Sequence, residues 1–378
     1  LKCLAQIWLK TGEFDVRPFS CSMTSWRGAI ILTCGCLAVN TRAVSPLLRR
    51  VVDSKGNIAS ATTGLEPSDV AARPFVDLLV IIPSNIRESD KRAAIRESWG
   101  KYIDPLGHCK RCKSNRTIKI IFGIGRPADE DKLIENETAF FQDLALLNLD
   151  GQSDHYRNLS TKVRSCIEYA VHHFRFALLL KVDTDSFLFM DRFLSLAEQK
   201  KLFGEDSDHS NMTNIYGGAF QIDARPDENP AGKWVDRTYR KLTGHELFPK
   251  YARGAGYVLS PSLCRYIAQG LPEHDSGKGD DWATFPELQP LPNEDVSVGF
   301  WLEPVMHEKV ELPISHLPIG CRDRKQIIDH HVMPKLMRLR WKSLEETGDP
   351  CSAAGVQEEA FEQELTSRLD ALNYSGMI

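Results

Sequence analysis

Phe176-Ala177-Leu178-Leu179-Leu180-Lys181-Val182, followed at once by Asp183-Thr184-Asp185, is the stretch that decides the fold. Its apolar density reads as a buried strand, so the two carboxylates fall at the strand's carboxyl end, where ligands of open α/β sheets collect. Two hard oxygen donors at such an edge suit a divalent metal that keeps positions open for phosphate oxygens. The pair therefore points to diphosphate chemistry. The competing explanation is a helix cap, since a helical stretch follows from Met190 and short acidic pairs favour helix N-termini.

Outward from this strand the pattern repeats. Phe75 to Pro83 has the same apolar density, and Lys91 to Trp99 has helical spacing with Asp90 as its cap. Thr117 to Gly125 reads as a second strand, Glu130 to Phe141 and Leu159 to Phe174 as helices. This alternation predicts an α/β fold with a mixed, mainly parallel sheet flanked by helices on both faces. The second half is less regular: a strand over Asn214 to Gln221, a helix over Pro261 to Ala268, and a helix over Val296 to Trp301 after Glu294-Asp295. His274 to Pro292, rich in Gly, Asp and Pro, is expected to be a surface insertion. Glu358 to Leu372 reads as an amphipathic terminal helix.

The 378 residues suffice for one large domain, and the formal net charge of -4 argues against a general nucleic-acid binder. The expected organisation is a short N-terminal segment (1–27), a signal anchor (28–42), a stem (43–73), a catalytic domain (74–345) and a C-terminal tail or helix (346–378). The run from Gly28 to Val39 is shorter than the roughly 20 residues of a spanning helix, and basic residues flank both sides. A cleavable signal and a buried helix are the alternatives to an anchor. Five sequons, at Asn115, Asn136, Asn158, Asn211 and Asn373, support passage through the secretory pathway. Cys109, Cys112, Cys166, Cys264, Cys321 and Cys351 follow the apolar run as an even set available for disulfides. Cys109-Lys110-Arg111-Cys112 is read as disulfide-forming, because no second pair follows at zinc-finger spacing.

Sugar transfer from a nucleotide diphosphate needs charge neutralisation at the leaving group, an oriented sugar, and a base for the acceptor hydroxyl. Asp185 is the better direct metal ligand, with Asp183 on ribose or a metal-bound water. Glu294-Asp295 is the second acidic pair, with helix capping as its bland alternative. Arg87, Arg92 and Arg96 fall where guanidinium groups hold a diphosphate, or equally where they face solvent. Gly254 and Gly256, between Tyr251 and Tyr257, suit either a backbone passing close to ligand or a tight turn. His330 and His331 offer an imidazole ligand.

Six motifs occur in the order seen in the β-1,3-galactosyltransferase family, glycosyltransferase family 31. They are Arg92 to Gly100, Tyr156 to Lys162, Leu180 to Asp185, Lys233-Trp234, Tyr251 to Ser260, and Asn293 to Gly299. The resemblance runs from about Phe75 to His331. Ser186-Phe187, Glu294 to Val305, and Gly320-Cys321 followed by His330 look most like the β-1,3-galactosyltransferase II branch, which adds the second galactose of the proteoglycan linkage tetrasaccharide. The resemblance implies a type II Golgi membrane enzyme with a GT-A nucleotide-sugar fold, Mn²⁺ dependence, UDP-galactose as donor, a glycan or glycoprotein acceptor, and inversion at the anomeric carbon. Carried over by position, Asp183 and Asp185 match the outer acids of the metal motif, Asp295 the base, and His330 the late histidine of the metal shell. Thr184 departs from the family's usual Asp; with the outer acids kept, metal binding is expected to persist. Related N-acetylglucosaminyl- and N-acetylgalactosaminyltransferases, and a catalytically silent glycan-binding protein, are the rival readings.

Overall fold

The computed structural model describes residues 72–125, 131–149, 154–204, 214–229, 234–269, 288–353 and 355–374, together with a short antiparallel pair, Val51–Val52 with Ile58–Ala59. That pair lies in a separate unit, residues 1–65. The expected N-terminal segment and anchor, nearly all of the stem, Asn211, and residues 274–287 of the expected insertion lie outside the described residues. Among the described residues no helix is long and apolar enough to cross a membrane.

In the larger unit, strand β1 (Phe75–Ser84) leads to α1 (Ser89–Glu97), β2 (Ile118–Gly125) to α2 (Asp131–Phe141), and β3 (Leu144–Leu147) to α3 (Leu159–His173). Strand β4 (Arg175–Val182) ends in the acidic loop and is followed by β5 (Phe187–Leu188) and α4 (Met190–Gln199). Then come β6 (Ile215–Gln221), α5 (Thr238–Thr243), β7 (Tyr251–Leu259), α6 (Pro261–Gln269) and α7 (Glu294–Leu302). Three short strands, β8 (Glu308–Glu311), β9 (Ile314–Ser315) and β10 (Ile328–Asp329), precede α8 (Pro334–Thr347) and α9 (Val356–Tyr374).

The main sheet has the order β8-β6-β7-β4-β1-β2-β3. Only β7 runs against its neighbours, so the sheet is mixed and mainly parallel, as its sequence pattern requires. Period-two alternation divides each central strand between two cores. Leu78, Val80, Leu178, Leu180 and Val182 face the core shared with α1, α4 and α8, whereas Leu79, Ile81 and Leu179 face the one shared with α3, α6 and α7. Burial on both faces is why the strands read as continuous apolar runs. A second sheet, in the order β9-β10-β5, packs Ile314 and Ile328 into the first core beside Phe187.

Several expectations change. Asp90 is not a cap: α1 starts at Ser89, and Asp90 in its first turn accepts from Arg338 Nη2 at 2.8 Å. The glycine-containing segment from Tyr251 is a strand, which its glycines disguised. Helix α8 was not anticipated and runs through the expected boundary at 345; Leu336, Met337, Arg340, Trp341 and Leu344 form its buried stripe, Pro334 opens it, and Gly348 at φ 77° closes it. Cys109–Cys112 and Cys321–Cys351 are disulfides, but Cys166 and Cys264 are buried free thiols packed in apolar surroundings.

Candidate active site

Lys181 is the polar exception in β4. Alternation turns it into the core under α7, where it is fully buried. Its ammonium donates to Asp183 Oδ1 at 2.7 Å, to the Gly254 carbonyl at 2.7 Å and to Glu294 Oε2 at 3.1 Å. Burial opposes its charge, but the carboxylates of Asp183 and Glu294 outweigh that and raise its pKa.

Helix α7 brings the second acidic pair to this point. Glu294 Oε1 accepts from the Tyr257 hydroxyl at 2.5 Å, so both of its oxygens are engaged. Burial pushes the Glu294 carboxyl up to about 7, with the negative charges of Asp295 and Asp183 adding to it against Lys181. Asp295 accepts from its own helix at Val296 N (Oδ1, 2.9 Å) and from Gly254 N (Oδ2, 3.2 Å). Burial raises its pKa too, against those N–H groups and Lys181.

Gly254 arrives by a bulge. Gly218 of β6 pairs with Tyr257 while Phe220 pairs with Ala252, so Arg253 to Gly256 stand against Ala219 alone on that side, and the Gly254 carbonyl and N–H are taken by Lys181 and Asp295. A Cβ on Gly254 would lie 3.5 Å from Glu294 Oε2 and 3.8 Å from both Asp183 Oδ2 and Asp295 Oδ2. Gly254 thus floors the cleft between the acidic pairs. Gly256 does not share that place: its Cβ would sit 2.7 Å from Ile328 Cδ1, so its bareness serves the packing of the second sheet.

On the other side of Asp183 stands a carboxylate–imidazole corner. His330 Nε2 is 3.1 Å from Asp185 Oδ1 and 3.5 Å from Asp183 Oδ2, and His331 Nδ1 is 3.6 Å from Asp185 Oδ2. The two imidazoles stack with centroids 4.1 Å apart, which a φ of 55° at His331 allows. Strand β10 delivers them: Asp329 pairs opposite Phe187, and Val332 N donates to the Asp185 carbonyl at 2.8 Å. Behind them Asp329 is fully buried, accepting from Gly320 N and, at 2.8 Å, from the equally buried Arg340 of α8. Although burial opposes it, the charges of His330 and His331 hold the Asp185 carboxyl well below its usual range.

One donor atom each from Asp185, His330 and His331 lie within 4.8 Å of one another. Carboxylate oxygens with imidazole nitrogens and no thiolate suit a first-row divalent metal ion. The residues present fit that group, and Asp183 adds a further oxygen beside them.

The arginines divide. Arg87 is exposed in the β1–α1 loop. Arg92, expected to hold diphosphate, is instead fully buried: Nε and Nη2 donate to Glu137 at 2.8 and 2.7 Å, and Nη1 to Ser84 Oγ and the Asn85 carbonyl. Arg96 is likewise committed, to Asp143 at 2.8 Å and to Glu137. Both brace α1 against α2 and the turn before β3. Two neighbours of the acids, Glu88 and Lys91, were not singled out from the sequence. Thr184 Oγ1 donates to Glu88 Oε1 at 3.4 Å, and Lys91 donates to the same oxygen at 2.7 Å. Of the motif aromatics, Tyr156 and Tyr251 feel the acids: burial and the charge of Asp295 raise the pKa of both phenols, that of Tyr251 to about 12. A lysine inside an apolar strand was the one overlooked signal legible in the sequence.

The sequence profile of the galactosyltransferase family matches residues 90–313. That match covers more than half of the chain and places it among glycosyltransferases: it belongs to the galactosyltransferase family. Mouse beta-1,3-galactosyltransferase 6 is 26% identical over 333 residues, 86% of this chain and 89% of that protein. Xenopus laevis UDP-GalNAc:beta-1,3-N-acetylgalactosaminyltransferase 2 is 26% identical over 223 residues, 59% of this chain and 39% of that protein. Arabidopsis thaliana hydroxyproline O-galactosyltransferase GALT6 is 26% identical over 280 residues, 73% of this chain and 36% of that protein. The chain thus spans well under half the length of the Xenopus and Arabidopsis relatives. Among solved structures, the galactosyltransferase LgtC with donor and acceptor sugar analogues is similar at a TM-score of 0.33 and 10% identity, covering 76% of this chain and 95% of that one.

Proposed function

We propose that the chain moves galactose from UDP-galactose to the 3-hydroxyl of an acceptor sugar, forming a β-1,3 linkage with inversion. The observation that carries this reading is a single cleft in which Gly254 links the Asp183, Asp185 and His330 corner to Asp295. Asp183, Asp185 and His330 would hold Mn²⁺, which when bound supplies Lewis-acid neutralisation of the leaving diphosphate. Asp295 takes the proton of the acceptor hydroxyl; burial raises its affinity for that proton, and a stronger carboxylate base transfers it more readily. Glu294, clamped between Lys181 and Tyr257, anchors the helix on which Asp295 stands. Attack from the face opposite the diphosphate gives the β product in one displacement.

Galactose as the donor sugar is supported by the alignment with the mouse galactosyltransferase over nearly its whole length. N-acetylgalactosamine is the second reading, favoured by the Xenopus relative, whose name carries that donor. For the acceptor, the resemblance to the β-1,3-galactosyltransferase II branch favours a galactosyl-xyloside of the proteoglycan linkage region. A Golgi location with a lumenal catalytic domain is supported by the apolar run from Gly28 and by the exposure of the sequon residues Asn115 and Asn136. Incubating the protein and Mn²⁺ with UDP-galactose, UDP-N-acetylglucosamine or UDP-N-acetylgalactosamine and a galactosyl-xyloside, then determining the product linkage, tests the proposal. A β-1,3-digalactosyl product supports it; exclusive transfer of an acetylated sugar replaces the donor assignment. No transfer from any donor, without Mn²⁺-dependent UDP binding, favours a silent glycan-binding protein.

A further inference from the structure

A buried ion pair is weak evidence for stability, because apolar replacement of both partners is often neutral or better. The fully buried ammonium of Lys181 therefore needs another reason for being there, and its partners supply one. An ammonium has three N–H donors, and here the three acceptors come from three separate elements. They are Asp183 in the loop after β4, the Gly254 carbonyl in the β7 bulge, and Glu294 in the first turn of α7. Each of these borders the cleft.

We propose that Lys181 is the positioning residue of this cleft, fixing Asp183 through Oδ1 so that Oδ2 faces His330, and clamping Glu294 so that Asp295 is held across Gly254 from the metal-binding carboxylates. This rests on the transferase reading for the roles of Asp183 and Asp295. The geometry supports each half. Asp183 Oδ2, left free by Lys181, is the oxygen 3.5 Å from His330 Nε2. The same Asp183 Oδ2 and Asp295 Oδ2 lie equally far, 3.8 Å, from the point where a Gly254 side chain would begin. Lys181 touches neither donor nor acceptor, since its side chain is closed from solvent; it acts through the carboxylates it holds.

The test is Lys181→Met combined with Glu294→Gln, which removes the buried cation and its buried anion together. Thermal melting and circular dichroism of this variant are expected to stay near those of the wild type. Calorimetric UDP binding in the presence of Mn²⁺ is expected to weaken about 10- to 100-fold, the usual cost of losing a residue that orients metal ligands, and turnover at saturating substrates to fall at least as far. Glu294→Gln alone, which keeps Lys181 on Asp183 and Gly254, should weaken UDP binding much less. A folded double variant with wild-type UDP affinity and turnover overturns the proposal. Should the double variant not fold, Lys181→Arg decides: its planar guanidinium keeps the charge but does not match three divergent acceptors. It is expected to weaken Mn²⁺-dependent UDP binding about tenfold, and wild-type affinity there overturns the proposal. Wild-type protein that does not bind UDP with Mn²⁺ overturns the transferase reading and the Lys181 role with it. Normal wild-type binding that the variants match overturns the Lys181 role alone.

Discussion

His330 Nε2 lies 3.1 Å from Asp185 Oδ1, although His330 falls beyond residue 313, where the family match ends. The contact exists because β10 pairs antiparallel with β5, the strand directly after the acidic loop, and because the buried Asp329–Arg340 pair fastens β10 to α8. The last part of the described chain is thereby a component of the cleft. Cys321–Cys351 reinforces the same region by tying the segment before β10 to the turn that follows α8.

His330→Ala is therefore expected to weaken Mn²⁺-dependent UDP binding by at least the ~10- to 100-fold that loss of a merely supporting residue costs. His331→Ala, at a half-exposed site and a longer distance from Asp185, should cost less. Calorimetric titration of UDP with and without Mn²⁺ measures both, and equal effects would contradict the ranking.

Asp295→Asn keeps the size of the side chain and an oxygen for one of its two N–H donors but removes the proton acceptor. Turnover should fall about 10²- to 10⁴-fold, the span of general-base contributions, with UDP–Mn²⁺ affinity nearly unchanged. The wild-type acidic limb of kcat/KM should lie above the ordinary aspartate range, because the active form is deprotonated and burial raises this carboxyl. A variant with near-normal turnover would remove Asp295 from the mechanism.

Arg92 distinguishes a bracing from a phosphate-binding role. Arg92→Met takes one of two arginines from Glu137 and a donor from the Asn85 and Ile86 carbonyls, and a broken buried pair costs about 3–5 kcal/mol; because Arg96 still reaches Glu137, the lower end is expected. Urea denaturation reads that loss, while the donor KM of the protein that remains folded should stay within about twofold, since a contact worth about 1.4 kcal/mol would already give tenfold. A large rise in donor KM at unchanged stability would return Arg92 to the diphosphate.

Glu294 gives a pH signature in stability. Its folded-state pKa, about 7, exceeds the ordinary 4.5, so its contribution is fully present below pH 4.5 and is lost as pH rises through about 7. Wild type should therefore lose stability relative to Glu294→Gln across that window, by at most a few kcal/mol, because each tenfold gain in proton affinity on folding is worth ~1.4 kcal/mol. Denaturation midpoints of both proteins from pH 4.5 to about 8 test this, and parallel curves would refute it.

What the sequence determined by itself is local and periodic. The apolar runs at Phe75, Thr117 and Phe176 became central strands because both faces of a mainly parallel sheet are covered, and Asp183 and Asp185 fell at the strand end because that is where the apolar run stops. Asp295 was legible at a helix start for the same local reason. What only the tertiary structure decided is which distant residues share an atom. Arg92 and Arg96 looked like phosphate ligands by position, yet their partners, Glu137 and Asp143, come from α2 and the turn after it. Gly254 and Gly256 looked alike in sequence, but a bulge gives one to the cleft and the other to packing against Ile328. Lys181 stood inside the decisive stretch, and its role depends on a β7 bulge and an α7 turn that no spacing along β4 encodes. Periodicity reports which face a side chain takes; the acceptors on that face are set by how the rest of the chain closes over it.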